Sequence, residues 1–538
     1  MNEAGARQES GVLAAALGGG GAARALAAVL PERPLAVLVD PTAGDAVALL
    51  RGLPARDRLA VMRDPAAAGE LAAIRLESDF TVRDTNADLL VLDGTATAQL
   101  WSSRNFRGAR AVLVPLGPVM TTARALLCYL KVAFHRRLKP LGILPPAQAG
   151  ARRWLAFAVA DRRLPGAREY LSPLIGFAGL FAELRERGID YVVLRWFETL
   201  PDLPKAEDLD LLVADKDAET LRKLLRERVG TRPIDVYSVT GVENAGAGQS
   251  AYFPPVLAEA VLSRAVDGPA GSRVPAPKDA LLSLAYHAAY QKGAKSGLPE
   301  SAAAPESGGS KYRRGLARLA SALAIELELS LDGLDRLLAA EGWRPPRDML
   351  NRLAADNGWL ERRYFAEQRS ALPYRVGAVV LREAALAWGI VDQVVADFRA
   401  VGFEVLAQAE IPVTRRKLVA AQTRGGNWSQ GPFPADGGLP AVFLLLLDPA
   451  PLEFSKAERK CYRTNDNARL LVKETIRERH NARRPERERA NFIHSSDTTE
   501  EAWEYCELAL PERVEALRRD VAERIAALAA GEKASAAA

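Results

Sequence analysis

Two carboxylates separated by one apolar residue, Asp208 and Asp210, open the run Asp208-Leu-Asp-Leu-Leu-Val213. Along a strand successive side chains alternate faces, so both acids point one way while Leu209 and Leu211 pack behind them. Like charges so placed repel unless a cation lies between them, and Mg²⁺ or Mn²⁺ shared with substrate phosphates suits such a pair. A third acid, Asp235, lies in the later run Pro233-Ile-Asp-Val-Tyr-Ser-Val239 and joins the pair if that strand lies beside the first. It would then be a further metal ligand, or a base toward an attacking hydroxyl. The plain alternative is a solvated or turn-forming acid pair.

His494, in Asn491-Phe-Ile-His-Ser-Ser-Asp497, is a second centre. Neutral imidazole is a competent nucleophile toward phosphorus when a neighbouring acceptor fixes its tautomer and cations neutralise the transferring charge. Arg459, Lys460, Lys473, Arg477 and Arg479 supply cations nearby in sequence. The basic stretch from Arg477 to Arg489 reads otherwise as a solvated helix face or a nucleic-acid patch. Without interleaved aromatics it offers no stacking platform, so nucleic acid is not the expected partner.

These residues need elements to hold them. Tyr191 to Leu194 reads as a buried strand, Ala218 to Arg228 as an amphipathic helix, and a helix from Pro173 to Arg187 leads into that strand. Earlier, Leu35 to Asp40, Ala73 to Glu77, Asp88 to Asp93 and Ala109 to Pro115 are short apolar strands between Ala-rich helical stretches. That alternation indicates a parallel, doubly wound sheet, loosely similar to a Rossmann-like sugar-transferase or methyltransferase domain, with Asp40 and Asp93 at its carboxyl edge. Gly18 to Gly21 precedes the first strand and reads as a linker or turn. Thr121 to Lys139 has apolar positions at helical spacing and a basic end; it suits either a peripheral contact with anionic lipid or a packing helix. Asp279 to Lys292 predicts an apolar helix in which His287 is a structural hydrogen-bonder, and Gly293 to Lys311 a mobile loop. Strands over Val376 to Leu381, Phe403 to Ile411 and Ala441 to Leu447, with a helix from Ile390 to Val401, predict a ferredoxin-like α+β layer.

Two resemblances follow from these residues. Leu194 to Val213 with Asp235 resembles the core of the polymerase-beta-type nucleotidyltransferase superfamily, over about residues 170 to 300. The resemblance implies Asp208, Asp210 and Asp235 as metal ligands. Where that family has Gly-Ser or Gly-Gly to grip the triphosphate, this chain has Arg195-Trp196-Phe197, so Arg195 becomes the expected phosphate contact. The last third, about residues 375 to 525, resembles nucleoside diphosphate kinase, whose active-site run is matched by Asn491 to Asp497. That resemblance implies His494 as the phosphorylated nucleophile, Asn491 as a ribose or phosphate contact, and Ser496 as a partner of the acid that orients the ring. Thr475-Ile476-Arg477 matches the family's Thr-Ile-Arg, with Arg477 as phosphate ligand. Arg382 stands where the family has a catalytic lysine, not a conservative change at a phosphate site. Tyr505 stands where the ring-orienting Glu would be, with Glu504 beside it, and the segment from Arg477 to Asn491 is longer than the family's.

The whole chain sets bounds on these readings. Its 538 residues exceed what one core organises, and 49% hydrophobic with 26% charged residues is ordinary for a globular protein. The domains expected are 1–148, Rossmann-like α/β; 149–370, nucleotidyltransferase-like with a helical extension; 371–530, kinase-like; and a disordered tail over 531–538. A net charge of +5 is small for this size and hints at anionic ligands. Cys128, Cys461 and Cys506 have no paired spacing and form no zinc cluster with histidine. No signal peptide and no membrane-spanning run is present, which points to a cytoplasmic protein, membrane-peripheral if 121–139 binds lipid. The expected function is metal-dependent nucleotidyl or phosphoryl transfer from a nucleoside triphosphate to a phosphate or hydroxyl acceptor, in glycan or activated small-molecule synthesis. A non-catalytic nucleotide-binding scaffold is the alternative.

Overall fold

A computed structural model of the protein describes residues 14–15, 17–39, 44–61, 75–77, 85–93, 109–116, 138–146, 152–160, 168–204, 207–241, 251–303, 310–364, 374–423, 432–455, 458, 462 and 465–537. It is a mixed α/β multidomain molecule with several sheets and many helices. The chain divides into two compact units, residues 1–237 with 267–274, and residues 238–266 with 275–538. Among the described residues no helix is long and apolar enough to cross a membrane.

In the first unit, β1 (Leu35–Val39), β2 (Asp57–Val61), β3 (Arg75–Glu77), β4 (Leu89–Leu92), β5 (Ala111–Leu116), β6 (Leu138–Leu144) and β7 (Arg153–Val159) form one sheet, ordered β3-β2-β1-β4-β5-β7-β6. Strands β1 to β5 pair in parallel, while β7 runs antiparallel to both β5 and β6. Strands β1 and β4 are buried at every residue, which is why they read as unbroken apolar runs rather than alternating ones. Helix α1 (Gly21–Val29) lays Ala23, Leu26 and Ala27 on this core. The antiparallel β7 departs from the all-parallel expectation. Of the expected helix over 121–139, residues 121–137 lie outside the described residues, and Leu138 and Lys139 open β6 instead. Asp40 also lies outside them; Asp93 follows β4 and accepts from Arg152 Nη1 and Nη2 at 2.8 and 2.9 Å.

A second sheet of the same unit holds β8 (Arg168–Leu171), β9 (Tyr191–Val193), β10 (Leu209–Val213) and β11 (Arg232–Ser238) in the order β8-β11-β10-β9. Helix α2 (Gly176–Glu186) buries Phe177, Leu180, Phe181 and Leu184, the three-and-four spacing of one helical face. Helix α3 (Asp215–Arg226) carries Asp215 and Asp217 in its first turn and Lys223 and Arg226 in its last, matching the helix dipole. Asn86 ties the two sheets together: its amide donates to Leu225 O and Arg228 O and accepts from Gly230 N, at 3.2, 3.1 and 2.9 Å.

The second unit begins with helices α4 (Pro255–Ser263), α5 (Pro277–Tyr286), α6 (Lys311–Ala322), α7 (Leu331–Ala340), α8 (Arg347–Ala354) and α9 (Gly358–Tyr364); a two-stranded ribbon, β12 (Val266–Asp267) with β13 (Arg273–Val274), falls between α4 and α5 in the chain. Helix α5 widens into a π-helical turn over His287–Lys292 instead of running straight to Lys292. Asn357 donates to Ala289 O and Tyr290 O there, at 2.8 and 3.0 Å, and Gly293 turns the chain with φ +52°. The expected mobile loop from Gly293 thus starts as a 3₁₀ turn with Gly293 and Ser296 buried. His287 is a hydrogen-bonder, its two ring nitrogens facing the hydroxyls of Tyr252 and Tyr312.

The remainder is a four-stranded sheet, β14 (Arg375–Arg382), β15 (Glu404–Glu410), β16 (Pro440–Asp448) and β17 (Ile493–Ser495), ordered β15-β16-β14-β17 with each pairing antiparallel. Helices α10 (Glu383–Ala387) and α11 (Val391–Ala400) join β14 to β15, α12 (Val413–Gln422) follows β15, α13 (Val472–Ala482) precedes β17, and α14 (Thr499–Ala509) and α15 (Val514–Ala537) follow it. Alternation along β14 feeds two cores: Val376, Ala378 and Val380 pack with Tyr505 and Cys506, while Val379 and Leu381 pack with Phe398, Ile476 and Ile493. Residues 531–537, expected as a disordered tail, continue α15.

Candidate functional site

The acids of the first unit gather because β11 lies beside β10, and because Asp235 faces Arg168 across the antiparallel register of β11 and β8. Directly opposed residues stand about 5 Å apart, well within reach of a guanidinium. Arg168 Nε donates to Asp235 Oδ1 at 2.7 Å and Nη2 to Oδ2 at 2.9 Å, while Nη2 also pairs with the Asp208 carboxylate. Asp210 turns instead to Arg195, with Nη2 2.7 Å from Oδ1 and the two side chains only 9% and 2% exposed. Asp208, Asp210, Asp235 and Arg195 are therefore brought together, and Arg195, expected to meet phosphate, is paired with a buried carboxylate.

Burial pushes the Asp210 carboxyl up to about 6, with the negative charges of Asp208 and Asp235 adding to it and Arg195 pulling back. The hydrogen bond with Asp235 holds Arg168 still more firmly in its charged form. The cation facing Asp208 and Asp235 is thus a guanidinium, whose N–H groups take the oxygens that Mg²⁺ or Mn²⁺ would need. Among the described residues no group of three or more His, Cys, Asp or Glu side chains is set to hold a metal ion. In this arrangement the donor set does not fit one. In the loop where small residues were missing, Trp196 adopts φ +54°, the left-handed region that glycine enters freely.

The second site rests on β17, an edge strand whose His494 pairs with Val380 of β14. His494 Nε2 lies 3.2 Å from the Tyr505 hydroxyl on α14. Local sequence explains how α14 is fixed: Thr498 caps it by accepting from Glu501 N at 3.2 Å, and the Glu501 carboxylate reaches back to Asp497 N. This is a variant of the Thr-x-x-Glu capping box. Burial, with the charge of Glu501 adding to it, holds the Tyr505 phenol well above its usual range. Burial, with Asp497 and Asp348 nearby, drives Glu501 well above the usual carboxyl range.

The other expected contacts fall around this ring in different ways. Arg477 Nη2 donates to Ile493 O at 2.9 Å, one residue before His494, and its Nε is buried without a hydrogen-bond partner. Its charge is disfavoured by burial, as is that of Arg382, which donates to Gly438 O and stands 3.6 Å from Asp436. Lys473 donates to Ser495 Oγ at 2.9 Å. Asn491, expected at a ribose or phosphate, donates to Phe433 O at 3.0 Å and Ala435 O at 3.3 Å and so organises a loop. Ser496 Oγ accepts from Ala378 N at 3.0 Å, extending the pairing of β17 with β14 rather than meeting an acid. Thr475 to Arg477 lie within α13. Arg479 pairs with Asp397, and Arg459 and Lys460 lie outside the described residues.

Sequence reasoning missed Arg168, Glu501, Asp348 and Arg352. Only Glu501 had a local signal, the three-residue spacing from Thr498.

No protein-family model and no curated protein sequence matches the chain. Among solved structures it is similar to a ribosomal protein L11 methylase from Lactobacillus delbrueckii subsp. bulgaricus, at 19% identity over 24% of this chain and 71% of that chain, with TM-score 0.19. It is similar also to the Aquifex aeolicus nucleoside diphosphate kinase, at 16% identity over 25% of this chain and 94% of that chain, TM-score 0.16. An NDP kinase from Pyrobaculum aerophilum matches at 16% identity over 25% of this chain and 95% of that chain, TM-score 0.12.

Proposed function

We propose that the chain is a phosphoryl-transfer enzyme whose centre is His494, in a ferredoxin-like domain of the nucleoside diphosphate kinase type. The observation that carries the reading is the His494–Tyr505 contact at 3.2 Å. It is supported by Arg477, whose charge is disfavoured by burial and whose guanidinium meets the Ile493 carbonyl beside the histidine, and by Arg382, a second buried guanidinium, on the strand that pairs with β17. An incoming phosphate relieves both, since anions meet guanidinium groups through charge-assisted bonds. In the reaction the imidazole attacks the γ-phosphorus of a nucleoside triphosphate, an N–P bond forms, and the bridging P–O bond breaks to release the diphosphate. The phosphoryl group then passes to a phosphate or hydroxyl acceptor.

The test is incubation with γ-labelled and, separately, α-labelled nucleoside triphosphate, followed by detection of acid-labile label on protein. Labelling from the γ position that disappears in His494→Ala supports the reading. Label that persists in that variant, or none in the wild type, overturns it. A second reading, nucleotidyl transfer in the first unit, rests on the nearness of Asp208, Asp210 and Asp235, whose charges act on one another. It requires Arg168 to leave those carboxylates, and transfer of α-label to an acceptor that survives Asp208→Ala with Asp210→Ala rejects it.

A further inference from the structure

Asp466 stands in the strap that leads into α13, and both its main chain and its side chain reach the turn that follows β17. Its N–H donates to Asp497 O at 2.9 Å, and beside it Asn465 Nδ2 donates to the Asp497 carboxylate at 2.8 Å. Its own carboxylate accepts, through Oδ2, from Thr499 N at 3.1 Å. That amide opens α14 and is one of those a helix cannot satisfy from within. Thr499 Oγ1 in turn accepts from Val376 N of β14 at 3.2 Å, so the strap is fastened where β14, β17 and α14 meet. Asn467 is held separately: it accepts from Leu452 N at 3.3 Å and Arg469 N at 3.0 Å and donates to Asp448 Oδ2 at 2.8 Å. Only the junction at 465 and 466 depends on Asp466.

The second carboxylate oxygen of Asp466 has no such support. Oδ1 is shut away from solvent, and among the described residues none donates to it. An ionised carboxylate spreads its charge over both oxygens, so half of that charge is left there without a donor, and a proton on the group removes it. Arg375 Nε of β14 faces Oδ2 at 3.6 Å. Burial, with the charge of Glu500 on α14 adding to it, raises the Asp466 carboxyl to about 6, against the pull of Thr499 and Arg375.

We propose that Asp466 is an acid-tightened latch: it holds residues 465–466 against the turn between β17 and α14, and the hold weakens as the carboxyl gives up its proton. In the open state the same carboxyl meets water and titrates in the ordinary range, so the closed state binds the proton more tightly. Closure is therefore strongest below about pH 4 and is lost progressively as pH rises through about 6. The turn it secures begins three residues after His494, and the latch works whatever chemistry that histidine performs.

The experiment is hydrogen exchange of the full chain read by mass spectrometry on peptides covering residues 465–471 and 496–502, with exchange times rescaled for the intrinsic pH dependence of amides. Protection of both in the wild type should fall about tenfold from pH 5 to pH 7.5, the ratio that a carboxyl moved from 3.8 to about 6 produces over that interval. Asp466→Asn keeps an acceptor for Thr499 N without a titratable proton and should hold protection within about twofold across the same range. Arg375→Gln, which removes the cation facing Oδ2, should move the fall to higher pH. A peptide covering the interior strand β16 reports that each variant is folded. Wild-type protection that is the same at pH 5 and pH 7.5, or a tenfold fall that survives in Asp466→Asn, overturns the inference. If Asp466→Asn does not fold, Arg375→Gln decides, and a fall left at the wild-type pH overturns it.

Discussion

Replacing Arg195 by Met isolates the Asp210 carboxylate inside the first unit. In the wild-type fold that carboxyl lies at about 6 against a reference of 3.8, so ionising it costs about 3 kcal/mol more in the fold than in the unfolded chain. A carboxyl raised in the folded state binds a proton that the unfolded chain has released. Its stabilising contribution is therefore present below about pH 4 and is lost as pH rises through 6. Arg195 is the main group pulling the other way, and it is 2% exposed. Its removal leaves a buried charge without a partner, for which about 3 to 5 kcal/mol is expected at pH 8. The penalty shrinks at pH 5, where Asp210 takes up a proton. Hydrogen exchange read by mass spectrometry on peptides covering residues 191–193 and 209–213 reports it locally, as exchange accelerated by about a thousandfold at pH 8. The double variant Arg195→Met with Asp210→Leu should return to within about 1 kcal/mol of wild type, because an apolar pair replaces a buried ion pair almost neutrally. Exchange within threefold of wild type in the single variant, or a double variant as fast as the single, would refute the reasoning.

Three further outcomes are expected. Tyr505→Phe, losing the hydroxyl 3.2 Å from His494 Nε2, should slow labelling of the histidine by about a hundredfold while nucleotide affinity, read by fluorescence titration, changes little. Arg168→Gln frees carboxylate oxygens of Asp235 and Asp208, so Mn²⁺ affinity measured by electron paramagnetic resonance should rise at least tenfold; no rise would show that guanidinium and metal do not compete. Gly293→Ala, at φ +52° and with an added Cβ 2.2 Å from the Asn357 side chain, should lower stability by about 2 to 3 kcal/mol in urea denaturation of the full chain.

Apolar runs made the interior strands legible: Leu35 to Val39, Leu89 to Leu92 and Ala441 to Leu447 are buried at every position, and nothing but a strand in a covered sheet suits such short unbroken runs. Strands with charge were not. In β2, Asp57 and Arg58 look like loop residues until Arg58 Nε donates to Leu50 O at 2.9 Å and Asp57 accepts from Val229 N, 172 positions later, at 2.7 Å. Strand β8 was hidden for the same reason, since Arg168 and Glu169 each answer a distant charge, Asp235 and Arg226. The acids were readable from spacing on a strand, but the arginine among them lies 40 residues before Asp208 and only tertiary structure brings it there. At the histidine, the motif marked the strand and the ring, whereas the carboxyl behind Tyr505 comes from a helix cap and its counter-charges from a helix that ends 140 residues before His494.

The chain leaves the first compact unit after residue 237, returns for residues 267–274, and leaves again. That short return is anchored: Arg185 donates to Gly271 O at 2.8 Å, and β13 packs beside β9. A ribosome that has released only the first 237 residues has therefore not yet delivered all that this unit is made of, and completion waits for a piece that arrives after about 30 residues belonging to its neighbour. Expression of either half by a single cut should for the same reason strip the first unit of a strand or leave the second with a dangling ribbon.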